Sequence, residues 1–314
     1  MDIIYLLAFS LSILLHNLFQ RYFIVKNRFD EVKERSSHKV LATRSGGSAI
    51  FFTIFLITIF LYIKSNQLFD FSLLIPFGIL FTVGLYDDIY GVDFKLKFIF
   101  QLIVAKIFFD QGIAISTLNG FMGINELPYI ASQALTIFFI VFIINATNFS
   151  DGIDGLAISE TLKCLIIATI MNSSYGVGSQ TFLFILSIAV IIPLYYFNFK
   201  KDYKVFLGDS GSLFLGGLIS VAIIFSINNF NLSFEIFSGT PLIVIICFFY
   251  PVVDTTYVTL KRIINKKSPF VADKNHIHHL LIKKGFSHRK TLILISGITG
   301  LIQAILLIYS ASYS

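Results

Sequence analysis

Charge is what this sequence has least of. Only 13% of its 314 residues are Asp, Glu, Lys or Arg, against roughly 25% in soluble globular domains. With 56% hydrophobic residues and a mean hydropathy of +0.82, that shortage excludes an ordinary soluble domain. Cysteine is nearly absent: Cys164 and Cys247 both fall in apolar stretches, which excludes a disulfide framework and a cysteine-based metal site and predicts two buried core thiols. The start, "MDIIYLL", lacks a basic region and no small-x-small cleavage site follows, so a retained first helix is expected instead of a cleaved signal peptide. The net charge of +6 comes without a basic stripe interleaved with aromatics, which argues against a nucleic-acid partner. No soluble domain, linker, low-complexity tract or internal repeat interrupts the chain, and residues 1–314 read as one transmembrane domain.

What is present is apolar sequence in long blocks. A bilayer core about 30 Å thick needs about 20 apolar residues of helix. Ten blocks meet or approach that: 3–25, 46–63, 69–86, 96–112, 128–146, 156–172, 180–197, 212–228, 240–258 and 291–312. The block at 96–112 is interrupted by Lys106 and Asp110. The 36 phenylalanines are spread through these blocks, as lipid-facing and core packing require. The expectation is an all-α, polytopic integral membrane protein with about ten transmembrane helices. Lys and Arg then sort by loop: the odd-numbered loops, counted with Lys97 at the edge of the fourth block, hold twenty and the even-numbered ones hold only Lys64. Basic loops stay inside, so the odd loops are expected to be cytoplasmic and both termini to face outward.

The odd loops also hold the unusual polar residues. They read "ERSSHKVLATRSGG", "YDDIYGVDFKLK", "NATNFSDGIDG", "FKKDYKVFLGDSGS", and a fifth from Lys261 to Lys290 that includes "ADKNHIHHLL". Asp87 and Asp88 end a helix, where the macrodipole disfavours carboxylates; a nearby cation such as Mg²⁺ or Mn²⁺ answers that, and an exposed loop pair is the plainer reading. Asn145, Asn148, Asp151 and Asp154 recur at three-residue steps, which on a turn of helix share a face. Asp154 suits an N-cap of the following helix, but capping needs one residue where four are offered, with Gly152 and Gly155 clearing space beside them. Asp209 sits between glycines before a helix expected to begin near Ser212; it reads as a cap or as an acid holding a metal beside a phosphate. Phe206 is interface packing or a stacking platform for a base. The fifth loop carries nine cations against Asp273. Positive-inside sorting and anionic lipid explain part of that charge. Its His276, His278 and His279 lack the spacing and the cysteine of a zinc site, and suit a diphosphate better. Carboxylates for a divalent metal together with cations for phosphates suit phosphoryl transfer between a lipid phosphate and a nucleotide.

In this ordered set of five motifs the chain resembles the polyprenyl-phosphate N-acetylhexosamine-1-phosphate transferases, from "RSSHKVLATRSGG" to "GFSHRKT". The resemblance implies ten or eleven transmembrane helices with cytoplasmic catalytic loops, a Mg²⁺ or Mn²⁺ cofactor, a UDP-N-acetyl sugar donor and undecaprenyl phosphate as acceptor, in the bacterial inner membrane, and leaves room for a homodimer. By motif it implies that Asp87 and Asp88 handle the lipid phosphate or metal and that Lys97 contacts phosphate. It places Asn148 and Asp209 on the metal, Phe206 on uracil, and Asp154 at the base, with Asn145 and Asp151 lining the same pocket. Arg44 falls in the first-loop motif, and His276, His278 and His279 in the sugar-diphosphate motif. "HIHH" resembles the GlcNAc-type and O-antigen-initiating members; the muramoyl-pentapeptide enzymes carry an uninterrupted triplet. An ion-coupled transporter is the reading from another class, and it predicts acids near mid-helix on both sides of the bilayer.

Overall fold

The computed structural model describes residues 2–30, 41–64, 70–172, 178–229, 239–266 and 275–311. Lys33, Arg35, Lys39, Lys267, Asp273 and Lys274 of the basic loops lie outside them. Among the described residues the ten apolar blocks become ten long helices: α1 (Asp2–Val25), α2 (Gly46–Ile63), α3 (Leu74–Tyr90), α4 (Phe94–Asp110), α5 (Tyr129–Ser150), α6 (Leu156–Met171), α7 (Ser179–Asn198), α8 (Gly208–Asn229), α9 (Thr240–Ile264) and α11 (His288–Ala311). A short α10 (Ile277–Lys283) precedes the last. Two residue pairs form a parallel bridge, β1 (Ala42–Thr43) beside β2 (Lys204–Val205), with Ala42 opposite Lys204.

Eight helical segments among the described residues are long and apolar enough to cross a membrane, and the chain is a multi-pass membrane protein. The two blocks outside that set, α4 and α6, have 17 and 16 residues and at 1.5 Å per residue reach only about 25 Å. Lys106 and Asp110 pair across one turn of α4 on its exposed face, so the interruption seen in sequence is a surface ion pair. Both cysteines are buried, as expected.

Three helices run past the ends of their apolar blocks, and all three of these ends lie at the site; Asp87 and Asp88 do fall in the last turn of α3, as expected. α3 continues through Asp87 and Asp88 to Tyr90. α5 runs on to Ser150, so Asn145 and Asn148 are helical and the third loop shrinks to Asp151–Gly155. α8 starts at Gly208, four residues before Ser212, which puts Asp209 inside its first turn. Hydropathy ends a block at the first polar residue. The backbone continues wherever another element supplies partners for the last turn.

α8 is the axis of the bundle and is buried over almost its whole length. Lipid tails are as apolar as a buried side chain, so helices in a membrane associate through close packing at small residues. A Cβ on Gly47 of α2 would lie 2.1 Å from the backbone nitrogen of Gly211, and one on Gly84 of α3 would lie 2.3 Å from the backbone oxygen of Asp209. Around this axis pack the phenylalanines of α2, α3 and α8: Phe51 stacks on Phe81 at 4.1 Å, and Phe77 meets Phe214 edge-on at 5.3 Å.

α9 is broken at Phe248, ahead of Pro251. Proline donates no backbone hydrogen bond and crowds the preceding turn, which frees carbonyls where no water can reach them. The amide of Gln303, buried on α11, donates to the oxygens of Ile246 (3.0 Å) and Cys247 (3.3 Å). The second half of α9 is thereby redirected toward the polar end of the bundle.

Candidate active site

All five odd-numbered loops meet at one end of the bundle. Asp88 is the residue around which they meet. Its side chain is fully buried, and its two oxygens accept from the backbone N–H groups of Asp209 and Ser210, both at 2.9 Å. Asp88 thus caps the N-terminus of α8 from another helix, where a carboxylate and the positive end of the macrodipole attract. Gly208, at φ +73°, makes the turn into α8, and a Cβ there would stand 2.6 Å from Asp88 Oδ2. Arg44 reaches in from β1, with Nη1 3.7 Å from Asp88 and Nη2 donating to Asp30 at 2.6 Å.

Asp87 faces another way. Lys97 Nζ, at the start of α4, donates to Asp87 Oδ2 (2.8 Å) and Asp209 Oδ2 (2.9 Å). Asn148 Nδ2 donates to Asp209 Oδ1 and to Ser212 Oγ, both at 2.8 Å. Asp87, Lys97, Asn148 and Asp209, from α3, α4, α5 and α8, therefore form one connected charged cluster. No group of three His, Cys, Asp or Glu stands at metal-holding spacing among the described residues. The oxygens of Asp87, Asp209 and Asn148 nonetheless suit a hard cation such as Mg²⁺, which is bound by one or two carboxylates and completes its shell with water and phosphate oxygens. The ammonium of Lys97 lies where the two carboxylates share a positive charge, which is the electrostatic demand a divalent ion would also meet.

The third loop borders this cluster. Burial, and after it the charges of Asp209 and Asp88, push the Asp151 carboxyl well above the ordinary carboxylate range, with Arg44 opposing. Asn145, one turn before Asn148, spends its amide on Gln101 Oε1 and on the oxygen of Val141, both at 2.7 Å, and so braces α5 against α4 without joining the charged cluster. Asp154 is not a helix cap: the residue before α6 is Gly155, left-handed at φ 79° with no side-chain bond to the helix. Asp154 is instead buried and ion-paired with Lys204, with Nδ1 of the His288 ring 3.7 Å away. Burial opposes its charge, but the nearby His288 ring and the Lys204 ammonium outweigh that and hold its carboxyl below the usual range.

The histidines complete the wall. His276, His278 and His279 stack within one group, with His276 and His278 5.6 Å apart and His278 and His279 4.2 Å apart. His276 packs on Phe149 at 5.4 Å. A Cβ on Gly152 would lie 2.4 Å from His278 Nε2, so the ring abuts the third loop. Burial, and then the neighbouring histidines, lower the pKa of His278 to about 2. Phe206 lies at the β2–α8 junction, its backbone tied to Thr43 (2.8 Å) and Gly46 (3.0 Å).

The sequence reading did not assign a site role to Asp254 and Tyr250, which hold the histidines, or to Lys204 and His288. An acid inside an apolar helix was the available signal for Asp254. Lys204 and His288 are a strand residue and a helix-start residue that acquire meaning only when Asp154 lies between them.

Comparison with known proteins places this geometry in a family context. Residues 70–227 match the family described as glycosyl transferase family 4. A probable undecaprenyl-phosphate N-acetylglucosaminyl 1-phosphate transferase of Bacillus subtilis (strain 168) is 31% identical over 276 residues, covering 85% of this chain and 73% of that protein. The undecaprenyl-phosphate alpha-N-acetylglucosaminyl 1-phosphate transferase of Thermotoga maritima is 30% identical over 279 residues, covering 87% and 80%. The protein of the same description from Yersinia pestis is 28% identical over 317 residues, covering 97% and 82%.

Proposed function

The chain belongs to glycosyl transferase family 4, and on that premise we propose that it transfers an N-acetylhexosamine-1-phosphate from a UDP-sugar to undecaprenyl phosphate and releases UMP. The donor is UDP-N-acetylglucosamine or a related deoxygenated N-acetyl sugar, and the lipid-linked product starts a cell-surface polysaccharide such as O-antigen or a wall polymer. The observation that carries this reading is the joining of Asp87, Lys97, Asn148 and Asp209 from four helices into one charged cluster at one end of the helical bundle. The relatives' names, all N-acetylglucosaminyl 1-phosphate transferases, support it over a phospho-N-acetylmuramoyl-pentapeptide transferase. The gathering of the acids at one end supports it over a transporter.

Asp87, Asp209 and Asn148 are the proposed ligands of Mg²⁺ or Mn²⁺. When bound, the ion neutralises phosphate charge and aligns the reacting groups. Asp88 acts through α8: by capping it, Asp88 fixes the backbone from which Asp209 projects. Lys97 supplies a fixed positive charge at the same point. An oxygen of the lipid phosphate bonds to the β-phosphorus of the donor, the bond from that phosphorus to the bridging oxygen breaks, and UMP leaves with the electron pair. Positioning and charge neutralisation supply most of the acceleration in such a transfer. Arg44, His276 and His279 meet the diphosphate, His278 packs beneath them, and Phe206, Asn145, Asp151 and Asp154 border the nucleotide. On this reading the polar end faces the cytoplasm of a bacterial inner membrane, which the charge bias among the loops supports, and residues 1–314 act as one transferase domain.

The test is to incubate purified protein with undecaprenyl phosphate, Mg²⁺ and a panel of UDP-N-acetyl sugars. UMP release with at least one sugar is expected. Silence across the panel contradicts the proposal.

A further inference from the structure

α9 carries a carboxylate to which the transfer chemistry gives no direct task. Asp254 is 1% exposed and lies beyond the break at Phe248 and beyond Pro251, on the second half of α9. Both of its oxygens are engaged. Oδ2 lies 2.7 Å from His276 Nδ1, and Oδ1 accepts from the backbone N–H of Ile277 at 2.8 Å. One turn earlier on the same helix face, the Tyr250 hydroxyl lies 2.8 Å from His278 Nδ1. A single helix thus grips two imidazoles by the same ring edge.

The two grips are chemically different. An ionised carboxylate only accepts hydrogen bonds, and the N–H of Ile277 on its other oxygen holds Asp254 in that accepting role. The proton of His276 therefore sits on Nδ1, and Nε2 is the atom left to face away from Asp254. A phenol has no such preference, because it can donate or accept. His278 is also fully buried with its Nε2 against Gly152 and without a hydrogen-bond partner among the described residues. His278 reads as a neutral packing piece under the third loop. His276, packed on Phe149 next to Asn148, is the ring set for a ligand.

We propose that Asp254 is a positioning residue for the donor site, which fixes His276 in the Nδ1–H form and turns its Nε2 to the diphosphate of the nucleotide sugar. In the complex a solvent-supplied proton bridges Nε2 and a phosphate oxygen, while Nδ1–H stays on the Asp254 carboxylate. Carboxylates that orient metal-bound imidazoles carry about a 10–100-fold share of their effect, and an effect of that order is expected here. The proposal rests on the transferase reading above, and its spectroscopic test stands apart from that reading.

The first measurement is nitrogen-15 NMR of histidine-labelled full-length protein in detergent, assigned with His276→Ala. A proton on Nδ1 of His276 is expected in the wild type, with a shift toward the Nε2–H form in Asp254→Ala. A bare Nδ1 in the wild type overturns the proposal, and does so without touching the transferase reading, which only a wild type unable to release UMP would contradict. The second is a kinetic cycle. Asp254→Ala and His276→Ala are each expected to raise the donor KM on the order of 10-fold with a smaller fall in kcat, and the double variant is expected to match His276→Ala alone. Asp254→Asn keeps an oxygen for the Nδ1 proton and is expected to lie between wild type and Asp254→Ala. Effects of the two alanine substitutions that multiply, as for two independent structural lesions, overturn the proposal.

Discussion

Asp87 and Asp88 are adjacent on α3, so their side chains leave the helix about 100° apart, and they meet different partners as a result. Asp87 shares Lys97 with Asp209, while Asp88 caps α8 and is sealed from solvent. The pair was legible as a pair, and the misfit of carboxylates at a helix C-terminus was legible as a demand for positive charge. The second helix that meets half of that demand was not legible, because its N–H groups lie more than a hundred residues further along the chain. Asp87→Ala is therefore expected to lower turnover by at least roughly 100-fold with little change in Tm. Asp88→Ala should abolish turnover and also lose about 1–2 kcal/mol of stability through the missing cap, read as a lower Tm in detergent. Equal Tm values for the two variants would contradict this division. Asp154 makes a pH prediction. Its carboxyl is held below the usual range by His288 and Lys204 against the opposing effect of burial, so its contribution is present above the unfolded-state value of about 3.9 and is lost as pH falls through the lower folded value. The Tm advantage of wild type over Asp154→Asn should persist at pH 5–7 and shrink below about pH 4. An advantage that grows on acidification would contradict the ion cluster.

The helices were visible as apolar blocks because a bilayer crossing leaves a long hydropathy record. Their ends were less visible, since Asn145, Asn148 and Asp209 are polar residues inside helices whose last turns are satisfied by other elements. The break in α9 illustrates the same limit. Pro251 announces a kink, yet Gln303, which answers it, lies on another helix. Gln303→Leu is expected to cost on the order of 1 kcal/mol, and less when Pro251→Ala restores the backbone hydrogen bond. Identical costs in the two backgrounds would detach Gln303 from the kink. Close approach is the other element-scale constraint. Gly84→Ala would press its methyl to 2.3 Å from the backbone oxygen of Asp209, whereas a Cβ on Gly78 of the same helix meets only Phe51, at 4.0 Å. Gly84→Ala should abolish folded protein in the membrane and Gly78→Ala should leave its yield near wild type, as fluorescence-detected size exclusion would show.

For the whole molecule, the bias of Lys and Arg toward alternate loops indicated that those loops share one side, and the structure brings all five together. Which loop residue meets which was beyond the pattern: Asp154 joined Lys204 and His288 and not the start of α6, and the histidines took their seats from α9. The central claim is that this assembly moves a phosphoryl-sugar and not a sugar alone. Its most direct test uses UDP-N-acetylglucosamine, or the UDP-N-acetyl sugar that releases UMP in the panel, labelled with phosphorus-32 at the β-phosphate, with undecaprenyl phosphate, Mg²⁺ and the purified chain. Label passing into the organic-extractable lipid, with unlabelled UMP in the aqueous phase and neither product formed by Asp209→Ala, is the predicted result. Label remaining in the aqueous phase as UDP would contradict the account.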